Sequence, residues 1–434
     1  MDANRFATHS LHDPRILRIL SAALNAVDPA EAVRKYLPTL TGNVYGLGIG
    51  KASIPMLTAL AEVYPLSGAL AISKHASSLN RNLFPIFLGS HPIPDSRSLE
   101  AGQRVLDFVS ALNEEDTLVC LISGGGSALV TAPYLGITLE DMQALTSLLL
   151  SCGARIDEIN TLRRHLDRVK GGGLAHATKA KVISLILSDV IGNPLEAIAS
   201  GPTYPNPTTN ADALKILRKY KIENKVSKSI LHTLESDSLL SDIWEQAPRL
   251  QSQNIIIGDN KLAAQAALEQ AQQAGFSAEI LTNELQGEAR EVGVMLARKL
   301  RNEISKRPRP FCLIAGGETT VTIKGNGKGG RNQELALAAV DELKDLENVM
   351  LITLATDGED GPTDAAGAVV TGRSAYRAET LEVNVADHLS RNDAYFFFDK
   401  LNDLLKTGPS GTNVNDLIFL IVTEAFLPPI STYP

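Results

Sequence analysis

Two patterns of apolar residues alternate along most of the chain. Short continuous apolar runs, typical of strands buried on both faces of a sheet, are separated by segments in which apolar residues recur with the helical period. The apolar runs predict strands at 44–49, 69–73, 117–123, 181–187, 254–258, 311–315, 349–355 and 417–422. This alternation predicts an α/β fold in which helices cover a parallel sheet.

The strand signals stop between residues 203 and 253. Three prolines between positions 202 and 207 interrupt the chain, and residues 211–246 have a polar helical pattern without glycine. We therefore place a domain boundary near residue 250. It predicts an N-terminal domain at 1–249 and a smaller C-terminal α/β domain at 250–434.

Composition narrows the class of protein. The chain has 434 residues, of which 44% are hydrophobic and 21% charged, as expected of a globular protein with two domains. Its 41 basic and 49 acidic residues give a net charge of −8, which argues against nucleic acid as a partner. The three cysteines form no disulfide framework, and no apolar stretch is long enough to span a membrane. The sequence therefore predicts a cytoplasmic protein with no nucleic-acid or membrane partner.

The first glycine cluster, at 46–53, leads from a predicted strand into a helix. It contains Gly48, Gly50 and Lys51, but its spacing matches neither a Walker A motif nor a dinucleotide fingerprint. Lys51 at a helix N-terminus could offer a point charge to a phosphoryl group. A tight turn with a solvated lysine is an equally good interpretation of this cluster alone.

A second cluster follows the strand at 117–123. It consists of Ser123, Gly124, Gly125, Gly126 and Ser127, and it does not have the spacing of a nucleophile elbow. Three consecutive glycines are costly in backbone entropy, which disfavours a merely flexible turn. The uncharged loop is suited to holding a carboxylate or a phosphate through its backbone.

A basic stretch and an aspartate come next. The stretch at 160–173 contains Arg163 and ends in three glycines, and taken alone it could also be a helix cap with solvated charges. Asp189 lies at the carboxyl end of the strand at 181–187, where it is a candidate general base or metal ligand. The alternative for Asp189 is a turn-forming aspartate.

The C-terminal half carries a further glycine-rich pair of segments. Gly316, Gly317 and Glu318 follow a predicted strand, and a loop that contains Lys324, Lys328, Gly329, Gly330, Arg331 and Asn332 opens a helix. Glycines and three cations directly before a helix predict a cationic nest that binds an anion.

Four carboxylates crowd into the loop at 357–364. They repel one another unless a cation intervenes, and Asp357 and Asp360 are candidate ligands of a Mg²⁺ ion shared with substrate phosphates. The loop lacks the final glutamate of an EF-hand, and a solvated acidic turn is the alternative. The eight histidines form no zinc-binding pattern.

Taken in order, these segments resemble the class II glycerate 2-kinase family, whose C-terminal part is called the MOFRL domain and whose members are also labelled hydroxypyruvate reductases. The resemblance covers 46–53, 123–127, 160–174, 188–203, 316–334, 356–367 and 411–416. It implies a Rossmann-like three-layer sandwich followed by a smaller α/β domain, with the active site in the interdomain cleft. It also implies ATP-dependent, Mg²⁺-requiring phosphorylation of D-glycerate at its 2-hydroxyl.

The resemblance ties Lys51 and Arg331 to catalysis, and the other roles are hypotheses from position. Asp189 is the expected base, and the loop at 123–127 with Arg163 is expected to bind the substrate. Asp357 and Asp360 are expected to hold the metal. The residues expected to bind nucleotide or phosphate are Gly48, Gly50, Gly316, Gly317, Glu318, Gly329, Gly330 and Asn332.

Two other functions remain open from the sequence. An NAD(P)H-dependent hydroxypyruvate reductase is suggested by family labels, but the chain lacks GxGxxG followed by an acidic residue about 20 positions later. A non-catalytic binder of phosphorylated metabolites would explain the glycine loops but not the combination of Lys51, Arg331 and the carboxylate loop. The sequence leaves open whether the chain forms a homodimer.

Overall fold

The chain forms two compact units. The computed structural model describes residues 1–75, 83–91, 93–236 and 252–424. The first unit is Pro29–Ile257, and the second combines Met1–Asp28 with Gly258–Pro434. Both units contain a six-stranded sheet, so the predicted α/β class is confirmed. No helix within the described ranges is long and apolar enough to cross a membrane.

The first unit is built on a sheet with the strand order β3-β2-β1-β4-β5-β6. Its strands are β1 Val44–Ile49, β2 Leu66–Ser73, β3 Ile86–Leu88, β4 Thr117–Ile122, β5 Lys181–Leu187 and β6 Ser252–Gly258. The pairs from β3 to β5 are all parallel. This part of the sheet confirms the parallel sheet that the buried apolar runs predicted.

The order of the strands reverses between β1 and β4. The chain proceeds from β1 to β2 and β3 on one side, and from β4 to β5 and β6 on the other. In an open parallel sheet, ligands bind beyond the carboxyl ends of the two strands at such a switch point. The loops after Ile49 and Ile122 therefore lie where the fold favours a binding site.

Helices flank this sheet. The α-helices are Pro29–Tyr36, Ser53–Val63, Ser96–Ser110, Gly126–Leu129, Leu139–Ser151, Ile156–Leu166, Gly173–His176, Asn210–Lys219 and Lys228–Glu235, with 3-10 turns at Ile198–Ser200 and Glu223–Lys225. Three of these helices begin with a capping box, which Asp95, Thr138 or Thr209 forms with the residue three positions later. Part of the predicted polar helical region, residues 237–246, lies outside the described residues.

The second unit contains a mixed sheet with the order β11-β10-β9-β12-β8-β7. Its strands are β7 Ser277–Leu285, β8 Phe311–Gly317, β9 Val349–Ala355, β10 Gly367–Thr371, β11 Leu404–Leu405 and β12 Asp416–Val422. β12 is antiparallel to both β8 and β9, and among the described strands of this unit only β7 and β8 pair in parallel. A wholly parallel arrangement was wrong for this unit, because strands buried on both faces have the same apolar pattern in either direction.

Helices also cover the second sheet. They are Pro14–Asn25, Asn260–Gln273, Ala289–Glu303, Arg331–Leu343, Ser374–Thr380, Val385–Ser390 and Ala394–Leu401, with a 3-10 turn at Ala3–Phe6. Helix Arg331–Leu343 packs against helix Ala289–Glu303, and its residues 332–340 are all buried. The residues of this unit that the sequence selected lie at the end of β8, in the loop and first turn that open this central helix, and in the loop after β9.

The N-terminal segment belongs to the second unit, although the sequence assigned it to the first. Helix Pro14–Asn25 packs against helix Asn260–Gln273, and the Ser10 amide donates to buried Asp403 at 2.8 Å. Strand β6 belongs to the first sheet, so the units divide at 257/258 and not at 249/250. These associations join residues that are far apart in sequence, which local hydrophobic patterns do not report.

All eight predicted strands are present in the structure. Those at 44–49, 181–187 and 349–355 have the predicted bounds, and the other five differ by one to three residues at their ends. The strands β3, β7, β10 and β11 were not predicted. β3 and β11 are only three and two residues long, and β7 is a sheet edge with several polar residues.

Buried His165 should make the first unit sensitive to acid. Burial, reinforced by the charge of Arg164, lowers the pKa of His165 to about 4. The unfolded chain therefore binds a proton between about pH 6.5 and 4 that the folded chain does not, so stability falls as the pH falls through this window. We expect a loss of about 2–3 kcal/mol in the free energy of unfolding between pH 7 and pH 4. Urea denaturation of the wild type and of His165→Gln, which should lack this component, measures it.

Candidate active site

The two glycine loops of the first unit are hydrogen-bonded to each other. The Lys51 amide donates to the Gly124 carbonyl at 3.0 Å, and the Ala52 amide donates to Ser123 Oγ at 2.9 Å. Gly50 has φ +125°, and a β-carbon there would overlap Ser123. The position therefore requires glycine. Clusters that are 70 residues apart in sequence thus form one surface at the switch point of the sheet.

Lys51 lies at the edge of this surface with a free side chain. It is exposed, and among the described residues its ammonium has no hydrogen bond and no ion pair. Gly48, in the strand just before it, packs against Ser53 at the start of the following helix. The structure therefore holds the backbone of Lys51 rigidly and leaves its charge available.

Asp189 and His91 lie against the same three glycines. A β-carbon at Gly124 would overlap Asp189 Oδ2, and one at Gly125 would lie 3.3 Å from His91 Cδ2 and 3.6 Å from Lys51 Cγ. The predicted base and the predicted cation therefore meet at this loop. No motif or spacing in the sequence connects His91 to this loop.

The surroundings of the loop are strongly cationic. Burial lowers the pKa of His91, and the charges of Lys51, Lys74 and Arg163 lower it further. Arg163 is partly buried, and in the described ranges its guanidinium has neither a hydrogen bond nor an ion pair. His91 is therefore neutral at pH 7, and the site favours anions.

Lys170, in contrast, has a structural role. Its ammonium is buried and donates to Asp167 Oδ2 at 2.5 Å and to the Val130 carbonyl at 2.9 Å. The same carboxylate accepts from Thr131 Oγ1 at 2.6 Å. This network connects residues 130 and 131, which follow the glycines at 124–126, with Lys170, which directly precedes the glycines at 171–173.

Ser127 is connected to a strained loop. Its Oγ lies 2.8 Å from the Oγ of Ser200, which is fully buried. Ala199 and Ser200 have φ values of +51° and +61°, a conformation that is unfavourable for residues other than glycine. The sequence did not select Ser200, because a left-handed conformation of a serine has no sequence signal.

In the second unit, Arg331 is paired with carboxylates. Its Nε donates to Asp416 Oδ2 at 2.6 Å and its Nη2 to Asp416 Oδ1 at 3.2 Å, while its Nη1 donates to Glu318 Oε1 at 2.5 Å. Asp416 pairs with Gly317 across the sheet, and Gly316 pairs with Leu417. The sequence predicted a cationic nest that binds an anion, and in the structure two carboxylates pair with its arginine.

The glycine-rich loop before Arg331 is anchored through its backbone. The amides of Lys324 and Gly325 donate to Asn392 Oδ1 at 2.7 and 3.0 Å. The Lys328 amide donates to Asp393 Oδ1 at 3.0 Å, and its ammonium lies 4.2 Å from the centre of the Tyr395 ring. Gly329 lies next to Ala394, and Gly330 lies against Asp360. Close packing accounts for much of the glycine content of this loop.

Asp360 caps the helix that begins at Arg331. Its two carboxylate oxygens accept from the amides of Asn332 at 3.1 Å and Gln333 at 2.8 Å. Burial, with the nearby charge of Asp416, raises the pKa of Asp360 to about 7. Asp357 is only partly buried and accepts from the Glu359 amide at 3.2 Å. The described residues contain no group of three or more potential metal ligands.

The contact between Asp189 and Gly124 predicts a strong mutational effect. Gly124→Ala should lower kcat at least about 100-fold, because the added methyl group must displace Asp189. Steady-state kinetics of Asp189→Ala and of the double variant supply the control. If displacement of Asp189 is the cause, Gly124→Ala has little further effect when Asp189 is already alanine.

Comparisons with known proteins agree with this architecture. Residues 15–235 match a domain of unknown function termed DUF4147, and residues 311–416 match the MOFRL family. The chain is 42% identical to a D-glycerate 2-kinase from Thermotoga maritima over 95% of its own length and 100% of the relative's length. It is 39% identical to a glycerate 2-kinase from Pyrococcus horikoshii over 94% of the chain and 97% of the relative.

A solved structure has the same fold. The crystal structure of glycerate kinase from Thermotoga maritima matches with a TM-score of 0.86 and 41% identity, over 94% of this chain and 98% of that chain. Identity at this level over nearly the whole length confirms the resemblance that the glycine loops predicted. The chain belongs to the class II glycerate 2-kinase family.

Proposed function

We propose that this protein transfers the γ-phosphoryl group of ATP to the 2-hydroxyl of D-glycerate, forming 2-phosphoglycerate and ADP. The observation that carries the proposal is the ammonium of Lys51, which pairs with none of the described residues, beside a glycine loop that also contacts Asp189. Both lie at the switch point of a parallel sheet, and the named relatives support the reaction. Glycerate and ATP are both anions, which suits a cationic site.

Substrate binding is assigned to the first unit. The backbone of Ser123–Ser127 would hold the glycerate carboxylate, with the guanidinium of Arg163 as its counter-charge. Arg163 is suited to this because it is partly buried and forms no ion pair with a carboxylate of the described residues, although the charge of Asp167 acts on it. Neutral His91 would contribute a hydrogen bond.

Asp189 is assigned as the base. As the oxygen of the 2-hydroxyl forms its bond to the γ-phosphorus, the hydroxyl proton would pass to the Asp189 carboxylate. The bond from the γ-phosphorus to the bridging oxygen breaks, and ADP leaves with that electron pair. Lys51 would stabilise charge on the transferring group, which is the main requirement of phosphoryl transfer.

Arg331 and its neighbours are assigned to the nucleotide. Glu318 and Asp416 fix both edges of the guanidinium, so Arg331 would act in one orientation. The backbone of Gly48, Gly50, Gly316, Gly317, Gly329, Gly330 and Asn332 remains a proposed set of phosphate contacts. Glu318 is better explained as a positioning residue for Arg331 than as a direct contact of a phosphate, because like charges repel.

The donor set for Mg²⁺ differs from the sequence expectation. Asp360 fits poorly, because it is buried and its two oxygens already accept from the amides of Asn332 and Gln333. Asp357 fits as a single carboxylate, since a Mg²⁺ ion that shares substrate phosphates needs only one or two. When bound, the ion would neutralise phosphate charge.

We expect the protein in the cytoplasm, in keeping with its three free thiols.

One observation favours the rival reductase. The strand order of the first sheet is that of dinucleotide-binding folds, although the loop after β1 lacks their fingerprint. Incubation with D-glycerate and Mg-ATP, and separately with hydroxypyruvate and NADH, decides between the two. We expect ³¹P and ¹H NMR to identify 2-phosphoglycerate. NADH oxidation without ADP release would overturn the kinase, and the 3-phosphate would overturn the proposed pose.

A further inference from the structure

A short chain of hydrogen bonds runs from the glycine loop into the core of the first unit. Ser127 Oγ lies 2.8 Å from Ser200 Oγ, and Ser200 Oγ donates to Asn160 Oδ1 at 3.5 Å. Ser200 is fully buried and Asn160 is 8% exposed, whereas Ser127 is partly exposed at the loop. Neither Ser200 nor Asn160 has a role in the reaction described above.

The inner end of the chain sets the direction of both hydrogen bonds. Asn160 Oδ1 can only accept, so the single proton of Ser200 is directed to it. Ser200 must then accept from Ser127, which uses the single proton of Ser127. What Ser127 can present to a ligand is therefore its lone pairs.

The surrounding structure holds Ser200 in place. The amides of Gly171 and Gly172 donate to the carbonyls of Ser200 at 2.9 Å and Gly201 at 2.7 Å. Ser200 stays left-handed, at φ +61°, in spite of the cost to a residue with a side chain. Strain that is maintained around a fully buried serine next to a binding loop is typical of a positioning role.

We propose that Ser200 and Asn160 are positioning residues that make Ser127 a hydrogen-bond acceptor for the 3-hydroxyl of the bound acid. The inference rests on the proposed function. The 2-hydroxyl is excluded as the donor because its proton is assigned to Asp189, and one proton cannot serve two acceptors. The arrangement selects 2,3-dihydroxy acids over analogues that lack a donor at carbon 3.

The test compares D-glycerate with its 3-deoxy-3-fluoro analogue, which has nearly the same size and no donor at carbon 3. The wild type should prefer D-glycerate by about 100-fold in kcat/KM, since an acceptor left without a donor is costly. Ser200→Gly keeps the left-handed backbone and releases the proton of Ser127. The preference should then fall at least about tenfold, and Ser127→Ala should abolish it.

Variants of Asn160 test the direction of the chain. Asn160→Asp keeps an acceptor for Ser200 and should retain the preference, whereas Asn160→Leu removes the acceptor and should lose it. Ala199→Gly relaxes the neighbouring backbone without touching a hydroxyl and should leave the preference unchanged. Thermal denaturation of every variant shows whether it remains folded.

Three results would overturn the inference while leaving the kinase intact. In the first, Ser200→Gly and Asn160→Leu slow the reaction of both substrates equally. In the second, Asn160→Asp loses the preference as Asn160→Leu does. In the third, Ala199→Gly loses the preference as well. A wild type that does not phosphorylate D-glycerate would instead overturn the proposed function, and this inference with it.

Discussion

Replacement of Lys51 by methionine should lower kcat for D-glycerate phosphorylation at least about 1,000-fold, with little change in stability. The ammonium is exposed and forms no hydrogen bond or ion pair in the described part of the chain, so its loss breaks no contact of the folded state. The anchoring bond from residue 51 to the Gly124 carbonyl involves only the backbone and remains in the variant. Steady-state kinetics together with thermal denaturation measure the two effects.

Lys74 provides the matched control for this substitution. It also lies close enough to His91 to lower the pKa of that side chain, and it too is a lysine of the first unit. Lys74→Met should change KM for D-glycerate more than kcat, because it alters the general charge of the site and not the stabilisation of the transferring group. Equal losses of kcat in both variants would show that Lys51 contributes only to the overall field.

The glycine loops were predictable because their sequence signal is local. Gly50 and Gly124 follow long apolar runs, and a run that ends in glycines before a helix marks the carboxyl edge of a sheet. The position of each strand in the order of the sheet has no such local signal. The reversal of strand order between β1 and β4, which brings Lys51 to the three glycines, follows from packing of the whole unit.

The roles of the acidic residues were less predictable. Asp360 stands in a loop that is rich in carboxylates, and in the structure its carboxylate caps a helix that begins 29 residues earlier. The family resemblance included Asp416 only as the last residue of the segment 411–416, although Asp416 binds the arginine that the sequence selected. A carboxylate has the same appearance in sequence whether it binds a metal, a helix end or a guanidinium.

Arg331→Met should both inactivate the enzyme and destabilise the second unit. Asp416 is fully buried, and burial raises its pKa against the opposing effect of Arg331. Loss of the guanidinium leaves this carboxylate without its ion-pair partner, which costs about 3–5 kcal/mol in fully buried pairs. We expect a smaller loss here, because the Arg331 side chain is 31% exposed. Activity alone cannot therefore separate a catalytic role of Arg331 from a structural one, and chemical denaturation must accompany the kinetics.

The double variant Arg331→Met with Asp416→Asn separates the two roles. Neutralising position 416 removes the uncompensated charge, so most of the lost stability should return. The phosphoryl group would still lack the charge of Arg331, so kcat should stay at least about 1,000-fold below that of the wild type. Recovery of activity together with stability would mean that Arg331 acts only by holding β12 against the start of its helix. Recovery of stability alone would leave catalysis as the reason why a guanidinium stands between two carboxylates.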